Sequence, residues 1–249
     1  MQSDCTFKPV LCYILNWVLS LYKKLRIIWR HYSFFPQGTD ERRQMLKMGK
    51  YFDCTCERCS DPTELQSHMS SIICASCAGN NREGGFIVKK DNEWKCTQCE
   101  HTIKNEYVES IIERAKEQIF HAQGDIYHYE LLLAKLSRIL HRNHYLMIDL
   151  KQNIAAILRS IIHNLAQRPG RKVYERKVRL CQEIMIVLQI VQPGISRLKA
   201  IALYELCNSF AELSRLRFNE KELGEGELLV TLLQRRYCHT WMKAIVYSQ

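Results

Sequence analysis

Apolar residues recur at helical spacing along most of the second half of the chain. Leu131, Leu132, Leu136, Ile139 and Leu140 fall three and four positions apart with Lys135 in the same stripe, and Ile154, Ile157, Leu158, Ile161, Ile162 and Leu165 repeat the pattern. Such a period places one apolar face on each helix. The stripes are interrupted at Gly124, Asn143, Pro169-Gly170, Pro193-Gly194 and Asn219, where helices stop or turns open. Segments of about 20 residues joined by short turns predict antiparallel helix hairpins from Ile103 onward.

Upstream the pattern changes. Residues 38–48 read as a short helix with Thr39 as N-cap; Arg42 stands at the third helical position, so the capping-box acid is missing. Phe86-Ile87-Val88, between Gly84-Gly85 and Lys89-Lys90, predicts a strand, with Glu93-Trp94-Lys95 as its antiparallel partner across Asp91-Asn92. Near the N-terminus, Pro9 to Tyr22 is apolar over 14 residues and precedes Lys23, Lys24, Arg26 and Arg30. A membrane span needs about 20 such residues, and the basic cluster sits where a signal peptide has small cleavage-site residues. The expectation is a helix packed on the body of the protein, or sequence that replaced another upstream segment by truncation or altered splicing. A short membrane anchor through 9–22 is the alternative.

Composition supports a folded, mainly α chain. The 249 residues are 47% hydrophobic with only 10 Gly and 5 Pro, enough to bury a sizeable core in one large or two small domains. The net charge of +10 is uneven: +4 in residues 1–37, −1 in 38–102 and +7 in 103–249. The near-neutral middle argues against nucleic acid as its ligand, because phosphate binding needs clustered cations. Arg168, Arg171, Lys172, Arg176, Lys177 and Arg179 cluster around one helix start. That cluster reads first as a solvated face and otherwise as a contact for an acidic tail or nucleic acid.

The chemistry is concentrated in cysteines. Seven of the twelve fall between 54 and 99, as Cys54-x-Cys56-x-x-Cys59, Cys74-x-x-Cys77 and Cys96-x-x-Cys99. A two-residue spacer lets one tight turn present two thiolates to one ion, and two such knuckles make a tetrahedral zinc site. Cys74, Cys77, Cys96 and Cys99, with 18 residues between the pairs, have the spacing of a zinc ribbon. The small ribbon between them has almost no core of its own, so its folding is expected to rely on metal, worth about 10–16 kcal/mol in zinc-finger peptides. Disulfides are the competing reading, disfavoured because the other five cysteines sit singly in apolar stretches. Cys181 and Cys207 are expected in the core. His121, His128, His141, His144 and His163 have no metal spacing. Cys54, Cys56 and Cys59 supply only three ligands; His68, His101, Cys5 and Cys12 are the candidates for a fourth, and none has the spacing of a knuckle partner.

Taken together, Gly38-Thr39-x-x-Arg42-Arg43-x-x-Leu46, Lys50-Tyr51-Phe52-x-Cys54-x-Cys56-x-Arg58-Cys59 and Asp61-Pro62-Thr63-Glu64-Leu65 resemble the end of a SET domain running into its post-SET zinc loop. The resemblance is to the SMYD (SET and MYND) lysine methyltransferases, especially the arthropod-type members, which carry the additional pair of knuckles. It continues through the Leu-His-x-Asn-His run ending at His144, Gln192-Pro193-Gly194-x-Ser196-Arg197-Leu198 and Leu203-Tyr204-Glu205-Leu206, and stops before Gly38. It implies three regions: 1–37 of uncertain origin, 38–102 as the end of SET with its zinc module, and 103–249 as a TPR-like helical domain. Phe52 matches the aromatic residue that stacks on the adenine of S-adenosylmethionine, although Lys50 stands where many members have Tyr.

The rest of the family's catalytic apparatus has no counterpart. The Asn-His-x-Cys segment of the SET core, which also supplies the fourth post-SET ligand, is not matched by Asn143-His144-Tyr145-Leu146, and no cysteine cluster of MYND type precedes Cys54. No catalytic residue is assigned. The sequence therefore predicts a zinc-binding, catalytically incomplete SMYD-like protein of the cytoplasm or nucleus. Its expected partners are proteins or acidic peptide segments, with self-association possible. The alternative is an S-adenosylmethionine-dependent lysine methyltransferase whose core is supplied elsewhere in the gene product or by a partner chain.

Overall fold

The computed structural model describes residues 37–79, 84–90, 93–122, 124–163, 169–194 and 196–233. The apolar stretch 9–22, Cys5, Cys12, the Asp91-Asn92 turn, Leu165 and Arg168 lie outside them. The described chain is mainly α, with a small four-stranded sheet beside the cysteines.

Helix α1 (Thr39–Lys50) departs from the expected capping. Gly38, extended, is the N-cap and makes no side-chain cap; Thr39 is the first helical residue. Glu64 caps the helix from 25 positions away: its Oε1 accepts from the Thr39 N–H at 2.7 Å and the Thr39 hydroxyl at 2.6 Å, and its Oε2 accepts from the Ser70 N–H at 2.7 Å. A carboxylate here satisfies orphan donors and meets the positive end of the helix. Glu64, Leu65, Gln66 and His68 hold left-handed backbone, φ 53 to 61°. Asp61 braces that loop by accepting from the Thr63 and Leu65 N–H groups.

Two short helices, α2 (Glu57–Ser60) and α3 (Ala75–Gly79), carry the first two cysteine groups. Strands β1 (Ile72–Ile73), β2 (Phe86–Lys90), β3 (Glu93–Cys96) and β4 (Thr102–Ile103) follow in spatial order β1-β2-β3-β4, all antiparallel. Lys90 faces Glu93 at the end of the β2–β3 ladder, the hairpin expected from the sequence.

The sheet is not a ribbon without a core. Ile72, Ile87 and Trp94 join Val108, Ala115, Ile119, Leu136, Leu140 and Leu150 in one buried cluster. The helices that close it are α4 (Asn105–His121), α5 (Ile126–Leu136), α6 (Tyr145–His163) and α7 (Arg171–Val191). The α5–α6 connection pairs with the outer edge of β1. The Ile73 N–H donates to Ile139 O at 2.8 Å, the His141 N–H to Ser71 O at 3.1 Å and the Tyr145 N–H to Met69 O at 2.9 Å. The Trp94 indole N–H reaches Asn105 Oδ1 at 3.1 Å. These links join residues distant in sequence, which period-counting cannot see.

Beyond them, α7 packs against α6 and against α8 (Arg197–Asn219). Gly124, at φ 85°, makes the turn between α4 and α5, a conformation glycine adopts without steric cost. Ion pairs within the chain occupy much of the basic cluster. Arg171 meets Glu175, Glu220 and Glu222, each at 2.8 Å; Arg176 meets Glu130 at 2.6 Å; and Lys177 is buried against Glu205, which also takes Arg159. Lys172 and Arg179 are exposed. Of the predicted stripes, Leu136, Leu140, Ile154 and Leu158 are buried, whereas Leu131 and Ile161 remain 51% and 39% exposed. Among the described residues, no helix is long and apolar enough to cross a membrane.

Candidate metal centres

Cys74 opens the turn into α3 and Cys77 lies within it, while Cys96 ends β3 and Cys99 follows in the turn before β4. Backbone bonds fix both knuckles: the Cys74 N–H donates to Gly85 O at 3.0 Å, the Ala78 N–H to Cys74 O at 3.0 Å and the Cys96 N–H to His101 O at 2.9 Å. The four sulfurs lie within 4.8 Å of one another, with 3.7 Å between Cys74 and Cys99 and 3.7 Å between Cys77 and Cys96. A tetrahedron with zinc–sulfur bonds of about 2.3 Å has edges of about 3.8 Å. A disulfide needs about 2.05 Å. The group could hold one metal ion, and four thiolates in this geometry suit zinc.

The surroundings tune the thiols in opposite directions. The His101 backbone N–H donates to Cys99 and brings its pKa down to about 7. Burial pushes Cys77 up to about 12 and raises Cys74. The Gln98 N–H also donates to Cys96 Sγ at 3.4 Å. Amide donors of this kind orient thiolates and offset their charge around a metal. Gly85 is sterically required, since a Cβ there would overlap Cys77 Cβ and Sγ.

Cys54, Cys56 and Cys59 form a second group, their sulfurs also within 4.8 Å of one another; Cys54 and Cys59 are buried and Cys56 is exposed. Arg43 clamps both ends of this loop, donating from Nε to Cys54 O at 3.2 Å and from Nη2 to Cys59 O at 2.8 Å. Arg58 ties it to Gln37 O and lies 3.8 Å from Glu64. Burial, then hydrogen bonding to Cys56, pushes Cys59 up to about 12. Cys54 is also raised by burial, but hydrogen bonds from Cys56 and Cys59 and the charge of Arg42 outweigh that and leave it lowered.

No fourth His, Cys, Asp or Glu among the described residues joins the trio. His68 packs its ring 4.9 Å from both Phe86 and His141, and His101 serves the other site through its backbone. Cys5 and Cys12 lie outside the described residues. Three thiolates alone do not fit a closed structural zinc site, which takes four ligands.

Phe52 stands just before this loop, 50% exposed, beside Tyr51 at 89%. His141 and His144 are buried and kept neutral, their pKa values lowered by burial to about 4 and about 3. His144 Nδ1 accepts from the Leu146 N–H, the bond of a helix cap, so it belongs to the start of α6. Cys181 and Cys207 lie buried in α7 and α8. Arg43, Glu64 and Gly85 are contributors to which the sequence pattern gave no role of their own, although each appeared in a quoted run: Arg43 in Arg42-Arg43, Glu64 in Asp61-Pro62-Thr63-Glu64-Leu65 and Gly85 in Gly84-Gly85.

A stretch of 77 residues, 29% of the chain, is 29% identical to the SET domain-containing protein SmydA-8, isoform B, of Drosophila melanogaster. The match covers 16% of that protein's length. No family model matches the chain. The similarity supports a relation to SET-domain proteins of the SMYD kind, and the two cysteine groups are compatible with zinc.

Proposed function

We propose that this chain is a zinc-stabilised, SMYD-like protein that acts as a protein-interaction module and does not itself methylate lysine. One observation carries the reading: Cys74 and Cys77 are members of the same buried cluster that α4 to α7 close, with Cys96 and Cys99 packed against it. Metal held there would stabilise the helical array as well as the knuckles. Phe52 is the one recognisable residue of a methyl-donor site. A methyltransferase must also enclose the donor and align the lysine amine with its methyl group.

The partner we propose is a protein segment, acidic because residues 103–249 carry a net +7, bound in the cytoplasm or nucleus. Exposed Met48, Tyr51 and Phe52 at the end of α1 add apolar surface suited to a partner or a second copy. The second reading, a lysine methyltransferase completed by a SET core from elsewhere, draws on the similarity to a protein named for its SET domain.

Calorimetry on the zinc-loaded full chain with S-adenosylmethionine near millimolar concentration separates the two. No saturable binding is expected; low-micromolar binding would sink this reading and revive the enzyme reading. Acidic peptides should bind more weakly as salt rises, because ionic screening shortens the reach of the basic surface. A monodisperse monomer that binds none of them, or binds equally at both salt levels, counts against the module.

A further inference from the structure

A cleft of about 470 Å³ opens between α4, the turn at Gly124 and α6, with no cysteine in its lining. Its size is that of a ligand pocket, about 300–1,000 Å³. Ile119 and Leu146, both buried, and Phe120, 65% exposed, supply apolar walls, and Lys116, Asp149 and Asn153 supply polar groups. The two charged groups stand differently. Lys116 Nζ is held by Glu41 at 2.9 Å. Asp149, half-buried on α6, accepts from Asn153 Nδ2 across a long 3.4 Å, and no cation pairs with it among the described residues. The cations of the neighbouring turns are committed elsewhere: Lys151 to Glu183, Arg159 to Glu205 and Arg176 to Glu130. Within the lining and its ion-pair partner, Asp149 is therefore one uncompensated negative charge, and α4 beside it carries four glutamates against Arg114 and Lys116. Burial raises the Asp149 pKa, the mark of a carboxylate that water serves poorly.

We propose that this cleft receives an arginine side chain of a partner protein segment, its guanidinium on the Asp149 carboxylate and its stem against Ile119, Phe120 and Leu146. A carboxylate partly withdrawn from water gains from a cation that brings its own hydrogen-bond donors. Guanidinium meets a carboxylate through two parallel N–H bonds and lies flat on an aromatic face, which an ammonium does not. Exposed Phe120 offers such a face at the same cleft. The cleft is open along that side, so it suits a side chain presented on a backbone that stays outside. This inference rests on the interaction-module reading and adds the anchor: a segment acidic enough for the basic surface would carry one arginine for Asp149.

The test uses the zinc-loaded full chain and a blocked Ala-Arg-Ala peptide, with its citrulline and lysine counterparts and free arginine, followed by the amide NMR signals of Phe120, Gly124 and Asp149. The arginine peptide should shift these signals saturably, the lysine peptide should bind several-fold more weakly, and the citrulline peptide, which keeps the shape and loses the charge, should not bind. Asp149→Asn should weaken the arginine peptide by about tenfold or more while its thermal midpoint equals or exceeds the parent's, because a buried unpaired charge has been removed. Phe120→Ala, at an exposed position, should weaken binding with the fold intact. No shift with the arginine peptide, equal binding of the citrulline or lysine peptide, or unchanged affinity in Asp149→Asn would overturn the proposal. A lowered midpoint in that variant would assign Asp149 to the fold instead, and tighter binding of free arginine than of the peptide would put a small molecule in the cleft; either also overturns it. Binding of acidic peptides lacking arginine, and of S-adenosylmethionine, is measured separately, so this proposal can fail while the module reading stands.

Discussion

Replacing Gly85 by alanine tests the packing of the sheet on the metal-binding knuckle. The added Cβ would overlap both Cβ and Sγ of Cys77 and stand 3.6 Å from Cys74 Cβ. Restoring ordinary contact requires β2 and the knuckle to separate by about 1 Å, whereas metal ligands tolerate deviations of about 0.2 Å. Either the Cys77 sulfur leaves its vertex or the Cys74 N–H loses its bond to Gly85 O. Overpacking of this kind costs about 1–3 kcal/mol, so zinc affinity at the four-cysteine site should fall by about 5- to 150-fold. Competition with a chromophoric chelator measures it. Gly79→Ala is the control, since a Cβ there meets nothing within 4 Å, and its affinity should stay within about twofold. If Gly85→Ala binds zinc as tightly as the parent, the close approach of β2 to the knuckle is wrong.

Further outcomes follow from the same structure. Cys96→Ser with Cys99→Ser should remove one tightly held zinc and lower the thermal midpoint of the helical signal, because the site lies in the core the helices share; unchanged zinc content would refute the pairing. Glu64→Gln replaces an acceptor with a donor facing the Thr39 or Ser70 N–H and should cost about 2–4 kcal/mol in denaturant unfolding. The exposed Asp53→Asn should cost under about 1 kcal/mol, and equal losses would show that the remote cap is unimportant. The folded-state pKa of His144 is lowered to about 3, so the stability it confers is complete above its ordinary value near 6.5 and is lost as pH falls from there toward 3. His144→Asn keeps an acceptor for the Leu146 N–H and removes the titration. The parent should therefore lose more stability than the variant between pH 6.5 and 4, and parallel acid-unfolding curves would contradict the assignment.

The sequence by itself determined the local features. Spacing of two between cysteines fixes a tight turn wherever the chain goes, so Cys74-x-x-Cys77 and Cys96-x-x-Cys99 were legible as knuckles, and so was the β2–β3 hairpin between them. The 3.6-residue period of Ile154, Ile157 and Leu158 marked α6, and Gly124 and Pro193-Gly194 marked its neighbours' ends, because these signals depend only on nearby residues. Tertiary structure decided what those elements meet. The capping of α1 by Glu64, the edge pairing of β1 with the α5–α6 connection, and the burial of Lys177 against Glu205 all join distant positions. In sequence Thr39 looked like a cap, the ribbon looked coreless and the arginine–lysine cluster looked solvated. Each reading used a local rule, which does not register a contact from a distant part of the chain; in the cluster it held for exposed Lys172 and Arg179 but not for buried Lys177. The same limit applies to the two cysteine groups: counting cysteines distinguished four from three, but only the fold set the group of four on the core and brought Arg43 across the loop of the other.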